Sequence, residues 1–466
     1  GTLFPYTTLF RSVSSSLGFE EVNRYPEFQE VYGQGFSGAY QPTSFWPSWG
    51  APVPAVQVIE PEHRYYANTE NLMRTGQQFE NTVSVSGGNE NATFYSSISN
   101  LQQEGVIPFS NWDRTSAKLS GQVGMGNKFS LTGSINYINS GGNRVPHDRV
   151  MERLQYWANT QDVTDYINPD GTQIAFVTDN PIYDARFATY EDNVNRVIGN
   201  LNFTYSPFDW MDISYRIGTD VYTDQRVEVQ PGPLCIAGEN PLSSDGFLRK
   251  NKINSRDINS TLNLTFNHTF AEKLDATLRV GNDVFDRSRN DLNSFGRDFV
   301  IPRFYNLSNT KEIQTGEFTT ERRLVGVYGD LMLNYDDYLY LNITGRNDWS
   351  STLPLENRSF FYPSVNLGFV FNDVLDIPDF LSYGKLRASY AEVGKDADPY
   401  STAITYTTQA YYPVEDQVGF TRRNTFGLPT LRPERTTAVE IGTDLRFLEN
   451  RLRDRKSTRL NSSHYS

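Results

Sequence analysis

Apolar and polar residues alternate one for one in stretch after stretch of this chain. Over 129–137, Phe129, Leu131, Gly133, Ile135 and Tyr137 interleave with Ser130, Thr132, Ser134 and Asn136. Leu262, Leu264 and Phe266 stand against Thr261, Asn263, Thr265 and Asn267, and Met211, Ile213, Tyr215 and Ile217 against Asp212, Ser214 and Arg216. Leu339, Leu341 and Ile343 likewise oppose Tyr340, Asn342 and Thr344, and Val439, Ile441, Leu445 and Phe447 oppose Glu440, Asp444 and Arg446. Successive side chains of a strand point to opposite faces, so a period of two predicts strands with one apolar and one polar face. About fourteen are expected, at 13–20, 80–87, 92–101, 114–123, 127–138, 194–206, 210–222, 257–269, 273–285, 323–335, 338–348, 360–371, 384–393 and 435–447.

The connections alternate too. Brief ones at 88–91, 124–126, 207–209, 270–272 and 336–337 take turns with long ones at 139–193, 223–256 and 286–322. The brief set carries turn residues: Gly124 and Gly126, Pro207 with Asp209, Asp336 with Asp337. Short turns on one rim and long loops on the other are the layout of an antiparallel transmembrane β-barrel. A soluble sandwich or propeller also alternates its faces, but neither predicts that parity or strands of this length.

Composition fits a wall with a wet side. The chain is 14% aromatic yet only 38% hydrophobic, with mean hydropathy -0.54; a barrel with a polar interior needs just one apolar face per strand. No run of apolar residues is long enough for a transmembrane helix, a limit that does not apply to strands. The formal net charge of -13 argues against nucleic acid, whose binders gather Lys and Arg. Cys235, the single cysteine, excludes an intramolecular disulfide and a multi-cysteine zinc site. Segments 1–12 (GTLFPYTTLFRS) and 456–466 (KSTRLNSSHYS) read as non-native scars and a secretory leader is not seen, so 13–455 is taken as an incomplete barrel segment.

Chemistry-bearing constellations are not found. His63, His147, His268 and His464 are scattered without metal-ligand spacing, so no catalytic residue, metal site or cofactor is expected. Gly121, Gly124 and Gly126 precede a predicted strand, not the helix a phosphate cradle requires. Asn168-Pro169-Asp170-Gly171 reads as a turn, since its spacing does not match a calcium loop.

Several segments resemble the SusC/RagA-type TonB-dependent transporters of the Gram-negative outer membrane. They are 19–35 (FEEVNRYPEFQEVYGQG), Ser48-Trp49-Gly50, 81–88 (NTVSVSGG), Phe94-Tyr95, Glu104-Gly105-Val106-Ile107, Gly345-Arg346-Asn347-Asp348, Ser350-Ser351, Tyr362-Pro363-Ser364-Val365, 385–390 (KLRASY) and Leu431-Arg432-Pro433-Glu434. The resemblance implies a 22-stranded barrel closed by an N-terminal plug, with the present chain starting after the plug and stopping before the last strands. It further implies import of oligosaccharides or oligopeptides, driven by the TonB complex through the plug region and aided by a SusD-type surface lipoprotein. A passive porin and a secreted soluble β-rich glycan-binding or glycan-cleaving protein are the alternatives.

Solute capture calls for aromatic platforms beside polar groups. The long loops offer Trp46, Trp49, Tyr156, Trp157 and Tyr183 as substrate contacts, each of which could instead pack its own loop or anchor the membrane interface. Asp212, Arg216, Asp275, Arg279, Lys385, Arg387, Glu440 and Asp444 are expected to face the lumen as solvated wall residues or a grip on the plug, with membrane lipid against the other face.

Overall fold

The computed structural model describes residues 8–42, 47–126, 128–176, 178–232, 245–376, 378–409, 419–424 and 426–464. Fifteen of its strands form one sheet in which each strand lies beside its sequence neighbours, all antiparallel. They are β1 (Thr8–Glu20), β2 (Gly76–Gly88), β3 (Ala92–Glu104), β4 (Asn111–Met125), β5 (Phe129–Asn143), β6 (Thr189–Phe208), β7 (Met211–Pro231), β8 (Gly246–Phe270), β9 (Leu274–Phe299), β10 (Thr310–Tyr335), β11 (Leu339–Ser350), β12 (Ser359–Val370), β13 (Leu381–Lys395), β14 (Glu434–Phe447) and β15 (Leu452–His464). Every expected strand is present. The additional one, β15, escaped the sequence reading because its segment, LRDRKSTRLNSSH, lacks an apolar alternation. No helix among the described residues is long and apolar enough to cross a membrane.

Rim parity holds along the sheet. Tight connections at 89–91, 126–128, 209–210, 271–273, 336–338 and 448–451 share one edge with the longer 371–380. Several demand left-handed backbone, at Gly126 (φ 61), at Ala271 and Glu272 (φ 50 and 62) and at Asp336 and Asp337 (φ 49 and 57). The other edge carries the longest connections, 21–75, 144–188 and 396–433, together with 232–245, 300–309 and the brief 105–110 and 351–358.

The long connections are shorter than the sequence suggested. Of 286–322 only 300–309 is not sheet strand, 139–193 shrinks to 144–188, and 223–256 shrinks to 232–245. Strands β9 and β10 each run 26 residues, far beyond the 9–11 that cross a hydrocarbon layer. Past that layer both faces meet water, so the sequence loses its alternation while the backbone ladder continues. Polar pairs across the ladder replace apolar ones there: Arg297 donates to Glu312 at 2.6 Å and Asn290 to Glu317 at 2.8 Å.

Register separates the two faces. One row runs through paired positions Met211, Phe266, Leu278, Leu331, Ile343, Val365, Tyr390 and Val439 on β7 to β14. Most of these side chains are exposed although apolar, as are Phe94, Leu119, Ile135 and Leu201 on earlier strands. The adjoining row on the opposite face reads Asp212, Thr265, Arg279, Asp330, Thr344 and Ser364. A contiguous exposed apolar band of this extent needs an apolar medium or partner to cover it.

The larger buried apolar cluster lies in the loops, and a smaller one of Val229, Leu248 and Phe299 sits at the loop-side ends of β7, β8 and β9. Leu72 from the connection 21–75 packs with Val145, Val150, Leu154, Trp157, Val163, Ile182 and Ala185 from the connection 144–188. Helix α1 (His147–Tyr156) contributes Val150 and Leu154, four residues apart on one face. Helix α2 (Pro181–Phe187) begins at Pro181, and the Asn180 side chain caps it by accepting from the amides of Ile182 and Tyr183. The turn at Asn168 to Gly171 closes with the Gly171 amide donating to Asn168, Gly171 at φ 85.

Candidate functional site

Two concave regions carry some of the candidate residues: four charged ones on the polar face of the wall, and Trp157 in the loop module. All eight charged wall candidates lie on the polar face, since Asp275 is joined in one row to Arg387 through Asn334, Tyr340 and Gly368, and Asp212 to Arg279 through Thr265. Asp275, Lys385, Arg387 and Glu440 converge on a groove of about 580 Å³ with Tyr340 and Asn342. The Lys385 ammonium sits 4.9 Å from the centre of the Tyr340 ring, while Arg387 Nε is buried without a hydrogen-bond partner among the described residues. Of the other four, Asp444 pairs across the ladder with Lys385 and is 3.1 Å from Arg453, while Asp212 accepts from Ser206 at 2.5 Å, Arg279 is 4.0 Å from Asp330, and Arg216 lies further along β7.

Nearer the loop rim the polar face holds a bonded network that the sequence reading did not single out. Arg346 donates to Asp283 at 2.5 Å and to Asp348 at 2.8 Å, and Tyr362 donates to Asp348. Tyr328 lies across Gly281, where a β-carbon would collide with its ring, and so reaches Asn263 at 2.5 Å. The Arg346 guanidinium stacks 5.3 Å from the centre of that ring. Beside this network Asp396 accepts from Arg322 at 2.6 Å, from Ser350 at 2.6 Å and from Thr352 at 3.1 Å. Arg346, Asp348 and Ser350 come from the Gly345 to Ser351 stretch already noted for its resemblance; Asp283 and Asp396 are distant in sequence and gave no signal.

The loop cleft, about 410 Å³, lies between 25–30, 65–70 and 154–159. Tyr25, Phe28, Tyr65, Tyr66 and Trp157 supply rings, and Glu27, Glu30 and Glu70 carboxylates. Its backbone is fixed by side-chain amides: Asn68 donates to Gln161 O at 2.9 Å and accepts from Val163 N at 3.0 Å, and Asn159 donates to Gln29 O at 2.9 Å. Tyr65 donates to Tyr32 O at 2.5 Å, and burial, reinforced by Glu30, pushes its phenol up to about 12. Below the cleft Arg149 joins the module to the wall, donating to Asp184 at 3.0 Å and to Gln230 of β7. Burial, opposed by Arg149, raises the Asp184 carboxyl to about 6.

The aromatic candidates separate by exposure. Trp49 is 57% exposed, its ring 5.9 Å from Tyr32, and Tyr156 is 38% exposed. Trp157 is only 5% exposed, its indole donating to Gln161 O at 2.9 Å, and touches the cleft from its floor. Tyr183, 9% exposed, lies against Phe187 with ring centres 4.6 Å apart and planes tilted by 45°, a placement that fits packing of its own loop. Trp46 and Cys235 lie outside the described residues. Tyr25, Phe28, Tyr65 and Tyr66 were not singled out in the sequence as site residues, because two separate segments of one connection supply them. Among the described residues no cluster of His, Cys, Asp and Glu could hold a metal ion.

Residues 136–461 match the family described as TonB dependent receptor-like, beta-barrel. A TonB-dependent receptor of Formosa agariphila is 25% identical over 340 residues, covering 69% of this chain and 33% of that protein. TonB-dependent receptor SusC of Bacteroides thetaiotaomicron is 23% identical over 426 residues, 83% of this chain and 41% of that protein. Among solved structures, the RagAB peptide importer in the open-open state shares the fold at TM-score 0.77 and 16% identity, covering 99% of this chain and 55% of that one. The chain thus spans between a third and about two fifths of these two relatives. With the family matched over most of its length and the SusC and RagA likeness carried by relatives and fold, the chain belongs to the TonB-dependent receptors through their β-barrel.

Proposed function

We propose that this chain forms wall and loops of an active nutrient importer in the Gram-negative outer membrane, taking up oligosaccharides or oligopeptides. The observation that carries the reading is the two-faced sheet: exposed apolar rows such as Leu278, Ile343 and Val365 suit lipid, and the opposite rows suit a wet lumen. The eight charged wall residues then line that lumen, and the groove at Lys385 and Arg387 is a place where a plug or passing solute would be gripped. The loop module, stiffened by its own core, supplies the capture surface at the outer rim, and Trp49 and Tyr156 are its exposed contacts. A SusD-type lipoprotein above the rim and the TonB complex, acting through a plug region, complete the assembly. One solved relative in fold is named a peptide importer, which favours peptides over glycans.

The test is uptake of labelled oligopeptides and oligosaccharides by cells carrying the full-length receptor, with and without TonB. Uptake that requires TonB and the proton gradient supports the reading. Uptake unaffected by loss of either identifies a passive pore, and a protein recovered soluble from the culture medium would mean a secreted binder.

A further inference from the structure

We propose that the loop cleft between 25–30, 65–70 and 154–159 binds the ammonium or guanidinium groups of a peptide. The inference depends on the importer reading only for the fate of the peptide after capture. What marks the cleft is which of its polar groups remain free. The amides are spent on the loops themselves: Asn68 bridges Gln161 O and Val163 N, Asn159 holds Gln29 O and accepts from Ser48 at 3.1 Å, and the Gln29 side chain binds Ser48 O at 2.5 Å while accepting from the Tyr32 amide. A sugar, which is recognised through such amides, would find few of them available.

The carboxylates are the groups left. Among the described residues no Lys, Arg or His lines the cleft, and Glu27, Glu30 and Glu70 take part in no ion pair. Glu30 and Tyr65 line the same cleft, so the carboxylate stands with the aromatic wall. The Arg64 guanidinium lies 4.9 Å from the centre of the Tyr66 ring and Arg24 precedes Tyr25 in the chain; neither lines the cleft, and three carboxylates outnumber the two. Aromatic faces and carboxylates around one concavity attract a cation through ring quadrupole and charge together. A net charge of -13 on the chain draws cationic solutes in the same direction.

The experiment measures binding to the full-length receptor in detergent micelles by fluorescence anisotropy. Four probes are compared: a hexapeptide with two lysines and a free amino terminus, its fully N-acetylated form, its counterpart with glutamates for lysines, and a glucosamine hexamer. The basic peptide is expected to bind at least about tenfold tighter than the acetylated one and to weaken in about 0.5 M salt. The triple substitution Glu27→Gln, Glu30→Gln, Glu70→Gln should erase that preference while leaving the acetylated peptide unchanged. Because several substitutions could disturb the loops, Glu70→Lys alone is made in parallel and should lower affinity for the basic peptide only. Equal binding of basic and acetylated peptides overturns the proposal, as does a preference that survives both variants. Tighter binding of the glucosamine hexamer would also overturn it and assign the cleft to amino sugars. TonB-dependent uptake of neutral solutes is scored separately, so that loss of the charge preference and loss of active import remain distinguishable.

Discussion

Asn342 donates its side-chain amide to the Asp330 carboxylate at 2.6 Å on the polar face, while Leu341 beside it pairs across the other face with Leu333 and Leu367. Leu341→Arg therefore places a guanidinium among apolar rows, at a cost of about 2–4 kcal/mol near the middle of a bilayer. Asn342→Arg leaves the charge beside Asp330 in a wet groove and should cost less than about 1 kcal/mol. Urea unfolding of the full-length protein in lipid vesicles measures both, and equal losses would contradict the assignment of faces.

Arg346 is the hub of the polar network, held by Asp283 and by the buried Asp348. Removing it strands a carboxylate at Asp348, and Arg346→Met is expected to destabilise by about 2–4 kcal/mol, discounted for the partial exposure of Asp283. Arg346→Met combined with Asp348→Asn should recover at least half of that loss, because the second change removes the unpaired charge. Thermal unfolding in micelles, followed by the shift of the unheated band in electrophoresis, reads both variants.

How far the sequence disclosed this architecture depends on what each residue faces. Leu339 to Thr344 were legible because one side chain meets an apolar medium and the next does not, and Asp336 and Asp337 because left-handed turns favour such residues. Residues 286–299 were not, since both faces of the extended β9 are hydrated and alternation no longer distinguishes strand from loop. Trp49 and Trp157 are equivalent in sequence, yet one is exposed and the other belongs to a core assembled from two separate connections. Only the pairing of strands between them brings 25–30 beside 154–159, so the cleft had no local signature.

That shared core predicts coupling between two loops. Trp157→Ala removes a ring packed with Leu72 and Leu154 and should cost about 3–5 kcal/mol within the module. Protease should then cut faster in both 21–75 and 144–188, whereas Trp49→Ala should change neither rate by more than about twofold. Cleavage confined to 144–188 in the Trp157 variant would mean that the two connections fold independently.

Asp184 gives the module a pH dependence. Its carboxyl is raised from 3.8 to about 6 because burial outweighs the attraction of Arg149 and Arg153, with Asp179 adding repulsion. The folded module therefore binds a proton that the opened one releases, so the contribution is full below about pH 4 and is lost as pH rises through 6. A shift of this size amounts to about 2–3 kcal/mol. Proteolysis of 144–188 should accelerate between pH 4.5 and 6.5 and then level off, and Asp184→Asn should flatten the profile. A rate that falls with pH over that window would reverse the sign and contradict the burial argument.

The last prediction concerns the sheet margins. Among the described residues β1 pairs only with β2, and β15 only with β14, so each presents a row of unpaired backbone groups. Such edges template association with other chains. Within hydrocarbon each unpaired amide or carbonyl costs several kcal/mol, so an open sheet is disfavoured in a bilayer as well. The exposed apolar rows add a second drive toward association. The 466-residue chain expressed by itself should therefore collect in inclusion bodies or in aggregates that only detergent disperses. Size-exclusion chromatography in detergent-free buffer decides the matter: a monodisperse monomer with a β-type circular dichroism spectrum and a cooperative melt would show that neither the edges nor the apolar face needs covering. That outcome would also remove the physical basis for placing Leu278, Ile343 and Val365 against lipid.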